Sequence, residues 1–146
     1  PVDLPRGRAL FQRTCGQCHK LYGEGGEIGP DITGSNRNNL DYLLTNILDP
    51  NAEIPNDYRT TILHTKDNRV LVGVIRRSEG QSVTIAMPAE VVTVAKRDVA
   101  AIDPQDFSMM PEGLVLALKV DELRDLVAYL RGSRQVALPE KPGKEQ

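Results

Sequence analysis

The sequence predicts a mainly α domain that is discontinuous along the chain and interrupted by a small antiparallel β meander or partial barrel. Three observations predict it. Apolar residues recur at helical spacing near the start, the period falls to two between about residues 58 and 102, and helical spacing returns afterwards. The helical unit is therefore expected over 1–57 and 103–138, with 58–102 as an insert. A polar, proline-bearing tail over 139–146 is expected to be disordered alone.

The first helix is expected to begin after Asp3, a capping residue, with Pro5 near its first position, where a missing N–H costs nothing. Gly7, Leu10, Phe11 and Thr14 share one face. Glycine is costly inside a helix, so Gly7 signals a close crossing by another helix. A glycine-rich loop follows over 23–30. A second helix is expected from about Asn39 to Leu48, with Leu40, Leu43, Leu44, Ile47 and Leu48 as its apolar stripe, stopped by Asp49-Pro50.

Segments 58–65, 70–76, 82–87 and 91–94 are rich in β-branched residues, and turn-like stretches at 66–69, 78–81 and 87–90 separate them. Residues 98–102 add a fifth strand or a short turn. Beyond Pro111-Glu112-Gly113, a short apolar segment at 114–118 leads to a last helix over 121–131. Leu123, Leu126, Val127 and Leu130 form its buried stripe, Asp121 is its capping candidate and Gly132 ends it.

Five residues carry the chemistry: Cys15-Gly16-Gln17-Cys18-His19. A C-x-x-C-H run is the attachment signature of a c-type haem. Two cysteines three positions apart on a helical turn reach the two vinyl groups of one porphyrin, and the next histidine supplies an iron ligand. A zinc site needs a second ligand pair, whereas the chain has only these two cysteines and one further histidine, His64. A thioredoxin-like motif needs a βαβ context that is missing. One covalent haem c is therefore the expected cofactor. Aromatic residues make up 4% of the 146 positions and tryptophan is absent, so a haem would fill a core that is otherwise aliphatic.

The net charge of −2 points away from nucleic acid, and no apolar run reaches the length of a membrane span. No acid/base pair of carboxylates and no phosphate-cradling loop is recognisable, so an enzyme is not expected. The chain opens at Pro1 with no leader, which reads as a mature or excised chain, and haem attachment implies a periplasmic or otherwise exported location in bacteria.

Gly7, Phe11, Cys15, Cys18 and His19, then Gly29-Pro30-Asp31-Ile32-Thr33-Gly34, Met110-Pro111 and Leu126-Val127-Ala128-Tyr129-Leu130 resemble a class I cytochrome c. Ile47-Leu48-Asp49-Pro50, Glu53-Ile54, Tyr58-Arg59-Thr60, Gly73 and Ser108-Met109-Met110-Pro111-Glu112-Gly113-Leu114 are more closely similar to the haem-binding domain of planctomycete–verrucomicrobial type. The resemblance implies a cytochrome c fold, a monohaem domain and one-electron transfer. It implies His19 and Met110 as axial ligands, and Gly7 and Phe11 against Tyr129. It also implies a Pro30 carbonyl that accepts a hydrogen bond from His19. Gly29, Pro30, Phe11, Leu40 and Leu44 are expected around the haem. By the same resemblance the redox partners are a periplasmic dehydrogenase as donor and a terminal acceptor.

Other readings stay open. Met109 or His64 stands as an alternative distal ligand, and Met110 as a packing methionine. Tyr58 and Arg59 either reach a haem propionate or pack and solvate the root of the insert. Arg6, Arg8, Arg13 and Lys20 either steer an acidic partner or form a solvated face. A haem-based sensor with a displaced Met110 is one alternative function. A docking or homodimerisation module built on the edges of the β insert is another.

Overall fold

Helix α1 (Leu4–Thr14) begins where the Asp3 carboxylate accepts the Arg6 N–H at 2.9 Å, with proline in the first turn. The computed structural model describes residues 1–141 from this cap onward; of the tail foreseen as disordered, residues 142–146 lie outside the described residues. Gly7, Leu10 and Phe11 are buried against helix α3 (Val120–Leu130), whose buried face is Asp125, Leu126, Tyr129 and Leu130. A Cβ on Gly7 would stand 2.8 Å from the Tyr129 Cβ, so only glycine permits this approach. The Phe11 and Tyr129 rings pack 5.7 Å apart beside it.

Asp125 is fully buried at this crossing. Its carboxylate accepts the Asp3 N–H at 2.9 Å and the Arg6 Nε–H, while Arg6 also reaches Asp121 at 3.1 Å. The Asp3 amide foremost, with Arg6 assisting against the opposing effect of burial, holds Asp125 below the usual carboxylate range. Asp121 therefore sits in the first turn as an ion-pair partner, not as the cap expected of it. The preceding residue, Lys119, takes the cap position, and its N–H donates to the Glu122 carboxylate at 3.3 Å.

Helix α2 (Leu40–Leu48) starts on the Asn39 side chain, which accepts the Tyr42 N–H at 3.0 Å. It buries Leu43 and Ile47, whereas Leu40 and Leu48 are exposed. Two short strands, β1 (Lys20–Leu21) and β2 (Glu24–Gly25), pair as a hairpin, the second of them within the 23–30 segment expected as loop.

The expectation of a mainly α molecule is overturned. Residues are 26% helical and 30% strand, and the dominant element is a five-stranded antiparallel sheet. Its strands are β3 (Arg59–Thr65), β4 (Val70–Glu79), β5 (Ser82–Ala86), β6 (Val91–Ala95) and β7 (Val99–Ser108). The spatial order is β6-β5-β4-β3-β7, so the first four strands follow a meander and the fifth returns to pair with β3. Two effects account for the error. Strands β4 and β7 run ten residues each, beyond their apolar alternation, because ladder pairing extends through polar positions such as Arg77, Ser78 and Asp103. In the helical unit, long stretches either side of α2 and ahead of α3 are irregular, so few of its residues count as helix.

The sheet carries its own core of Leu63, Val83, Ile85 and Val94. A second core, Leu10, Phe11, Leu21, Leu43, Ile47, Val115, Leu126, Tyr129 and Leu130, joins the three helices. A smaller cluster of Ile28, Val74 and Ala86, packed by Cys18, Tyr58 and Met109, lies where sheet and helical unit meet.

Candidate functional site

The C-x-x-C-H run continues directly from the end of α1 as a helical turn. The Cys15 and Gly16 N–H groups both donate to the Phe11 carbonyl, and the Cys18 and His19 N–H groups both donate to the Cys15 carbonyl, at 3.1 and 2.9 Å. The cysteine side chains are thus set one turn apart with the His19 ring beside them. The glycine-rich loop packs under this turn: Gly26 N–H donates to the Gly16 carbonyl and Gly29 N–H to the Cys18 carbonyl, both at 2.8 Å.

His19 Nδ1 lies 2.9 Å from the Pro30 carbonyl oxygen. That acceptor requires a proton on Nδ1 and leaves Nε2 as the nitrogen with a free lone pair. Gly29 makes the arrangement possible, since a Cβ there would come within 2.8 Å of His19 Cε1.

These residues open onto a cavity of about 500 Å³ between the helical unit and the sheet. One wall is Cys15, Cys18, His19 and Pro30. Leu43 and Ile47 of α2 and Leu130 of α3 form a second, and Ile28, Tyr58 and Val74 close the sheet side. Met109 and Met110 both reach the cavity from the loop after β7 but turn to different neighbours. Met110 packs with the helical core, and Met109 with the Ile28–Val74–Ala86 cluster.

Four residues expected around the cofactor lie elsewhere. Phe11 belongs to the α1–α3 crossing. Leu40 and Leu44 are off the cavity because Leu43 and Ile47 supply the inward face of α2, a choice that helical periodicity alone left open. Arg59 does not line the cavity either and pairs with Asp106 at 3.2 Å. His64 lies on β3, away from it.

Sequence reasoning missed Arg37. It lines the cavity, is 8% exposed, and donates to the Leu130 and Gly132 carbonyls at 2.6 Å each and to the Thr33 carbonyl at 3.0 Å. It thereby satisfies carbonyls left open at the end of α3 and stacks over the Tyr22 ring. Within Ser35-Asn36-Arg37-Asn38-Asn39 nothing marks it out from a solvated loop residue.

The donor set can be tested against covalent haem. Cys15 and Cys18 are not bonded to each other. Burial, with the Cys18 charge adding to it, pushes the Cys15 thiol up to about 12, and burial also raises Cys18. A thioether, unlike a thiolate, has no charge for this burial to penalise. Among the described residues no group of three or more His, Cys, Asp or Glu side chains is placed to hold a metal ion on its own. The volume falls in the range of cofactor sites, roughly 300–1,000 Å³. The residues present fit the group.

No helix among the described residues is long and apolar enough to cross a membrane. No curated protein matches the chain. A family model does match, described as cytochrome c oxidase, cbb3-type, subunit III, and it covers residues 2–130. That span takes in the attachment turn, the sheet and both methionines of the cavity, and the chain therefore belongs to this cytochrome c family, whose chemistry is electron transfer by covalently bound haem c.

Proposed function

We propose that the chain is a monohaem electron carrier with histidine–methionine ligation, serving a periplasmic dehydrogenase and passing electrons to a further acceptor. The observation that carries this reading is one apolar cavity that receives both cysteines, the His19 ring and Met110 together. Bound haem c supplies a one-electron iron couple there.

The chain's own residues do the rest. Cys15 and Cys18 would tether the group, and the Pro30 carbonyl fixes the tautomer and orientation of the His19 ring. Met110, which lines the same cavity, would offer the iron a thioether, a donor that favours the reduced state and raises the potential relative to a second histidine. Leu43, Ile47, Val74 and Leu130 exclude water, which limits reorganisation around a changing charge. Were His19 and Met110 both to bind the iron, no position would be left there for substrate, which is the reading of a carrier. The Ser108-to-Leu114 run and the Ile47-to-Pro50 run support the closer likeness to the planctomycete–verrucomicrobial type, in which such domains are fused to or work beside dehydrogenases.

The test is the absorption spectrum of the haem-loaded protein, ferric and ferrous, in the parent, Met110→Ala and Met109→Ala. The far-red band of iron–sulfur ligation is expected in the parent and in Met109→Ala and lost in Met110→Ala, with a lower potential in the last. Loss of the band in Met109→Ala alone would transfer the ligand to Met109. A parent without the band would sink the reading.

A further inference from the structure

We infer that Asn51 is a positioning residue for the distal ligand, closing the methionine loop by binding both of its ends. The inference rests on Met110 being that ligand. The loop leaves β7 at Ser108 and returns at Glu112. Asn51 Oδ1 accepts the Ser108 N–H at 2.8 Å, and Asn51 Nδ2 donates to the Glu112 carboxylate at 2.9 Å. The orientation of the amide is fixed by its partners, since a backbone N–H can only donate and a carboxylate can only accept. Inside the loop, the Met110 N–H donates to Ser108 Oγ at 3.1 Å.

One side chain thus spans the five residues from 108 to 112 and ties them to the chain that leaves α2. Ser108 also pairs with Arg59 at the start of β3. The loop's upstream end is therefore held by the sheet and by Asn51, while its downstream end is held by Asn51 through Glu112. A methionine in a loop has many rotamers and backbone states available when it leaves the metal. Tying the two ends removes much of that freedom and favours the bound position.

The readout is the rate at which the ferrous, haem-loaded protein captures carbon monoxide, which waits on release of the distal side chain, measured far below the melting temperature. Asn51→Ala is expected to raise that rate about three- to tenfold, the effect of losing hydrogen bonds at both loop ends, with the resting far-red band weakened. Glu112→Ala, which frees one end only, is expected to raise it less. Glu112→Ala also keeps the test open if Asn51→Ala does not fold, because it removes an Asn51 bond, whereas Ser108→Ala removes only the internal bond to the Met110 N–H and leaves both Asn51 contacts in place. Unchanged capture rates in the folded Asn51 and Glu112 variants would overturn the inference. Met110→Ala run in parallel separates the two claims: if it retains the band, the ligand assignment fails first, whereas if it loses the band and the Asn51 and Glu112 variants behave as the parent, only the positioning role fails.

Discussion

At the residue scale the attachment turn depends on how closely backbone can approach a ring. Gly29 lies where any side chain would collide with His19, and the Pro30 carbonyl next to it accepts a hydrogen bond from His19 Nδ1 at 2.9 Å. Gly29→Ala forces either the ring or the loop to move. Overpacking of this kind costs about 1–3 kcal/mol. Denaturant unfolding of the haem-loaded variant is expected to show that loss together with an altered haem spectrum. Parent-like stability would mean that the ring has room that the geometry denies it. Arg37 makes the complementary point, because its value lies in the carbonyls it reaches across the chain at Leu130 and Gly132. No local pattern of the polar loop that contains it specifies those partners.

At the element scale the α1–α3 crossing joins a steric device to an electrostatic one. Gly7 lets the helices touch, and Asp125 locks them through the Asp3 amide and Arg6. Because Asp125 titrates below its ordinary value when folded, its contribution is fully present above the unfolded pKa, about 3.9, and is lost as pH falls through the lower folded value. Asp125→Asn keeps an acceptor for the Asp3 amide but cannot change charge. Its melting temperature is expected to lie below the parent's near neutrality and to fall less steeply between about pH 5 and pH 3. Parallel slopes for the two proteins would show that other carboxylates carry the acid sensitivity. The cap of α1 was legible, since Asp3 acts within three residues of itself, and the expected start of α2 at about Asn39 fell on the residue that caps it. The start of α3 was not, because Asp121 is drawn away by Arg6 from α1.

At the scale of the whole molecule two cores meet at a cavity, and they differ in what they need. The sheet's own cluster of Leu63, Val83, Ile85 and Val94 includes no cavity residue, whereas Leu43, Ile47 and Leu130 of the helical core also form the cavity wall. Protein that cannot attach haem, made as Cys15→Ser with Cys18→Ser, is expected to keep slow amide exchange in β3–β5 and to lose it in α2 and the 108–118 segment. Uniform loss of protection would show that the sheet too depends on a filled cavity. Where the helical unit is built around a cofactor, irregular segments suffice to enclose it, and that is why the described residues, with three α-helices and five longer strands, are not mainly α.

What could be read from the chain before folding was whatever acts over a few residues. That covers the two cysteines and histidine on one turn, the Asp3 cap of α1 and the change of period near residue 58. Their chemistry or hydrogen bonding is complete within a local stretch, so sequence order specifies it. The inward face of α2, the burial of Asp125 and Arg37, the return of β7 to β3 and the joining of both loop ends by Asn51 come from groups far apart along the chain, such as Asp3 and Asp125, Arg37 and Leu130, or Arg59 and Ser108. Each is settled by competition among distant contacts, and that competition exists only once the helices and the sheet close around a common cavity.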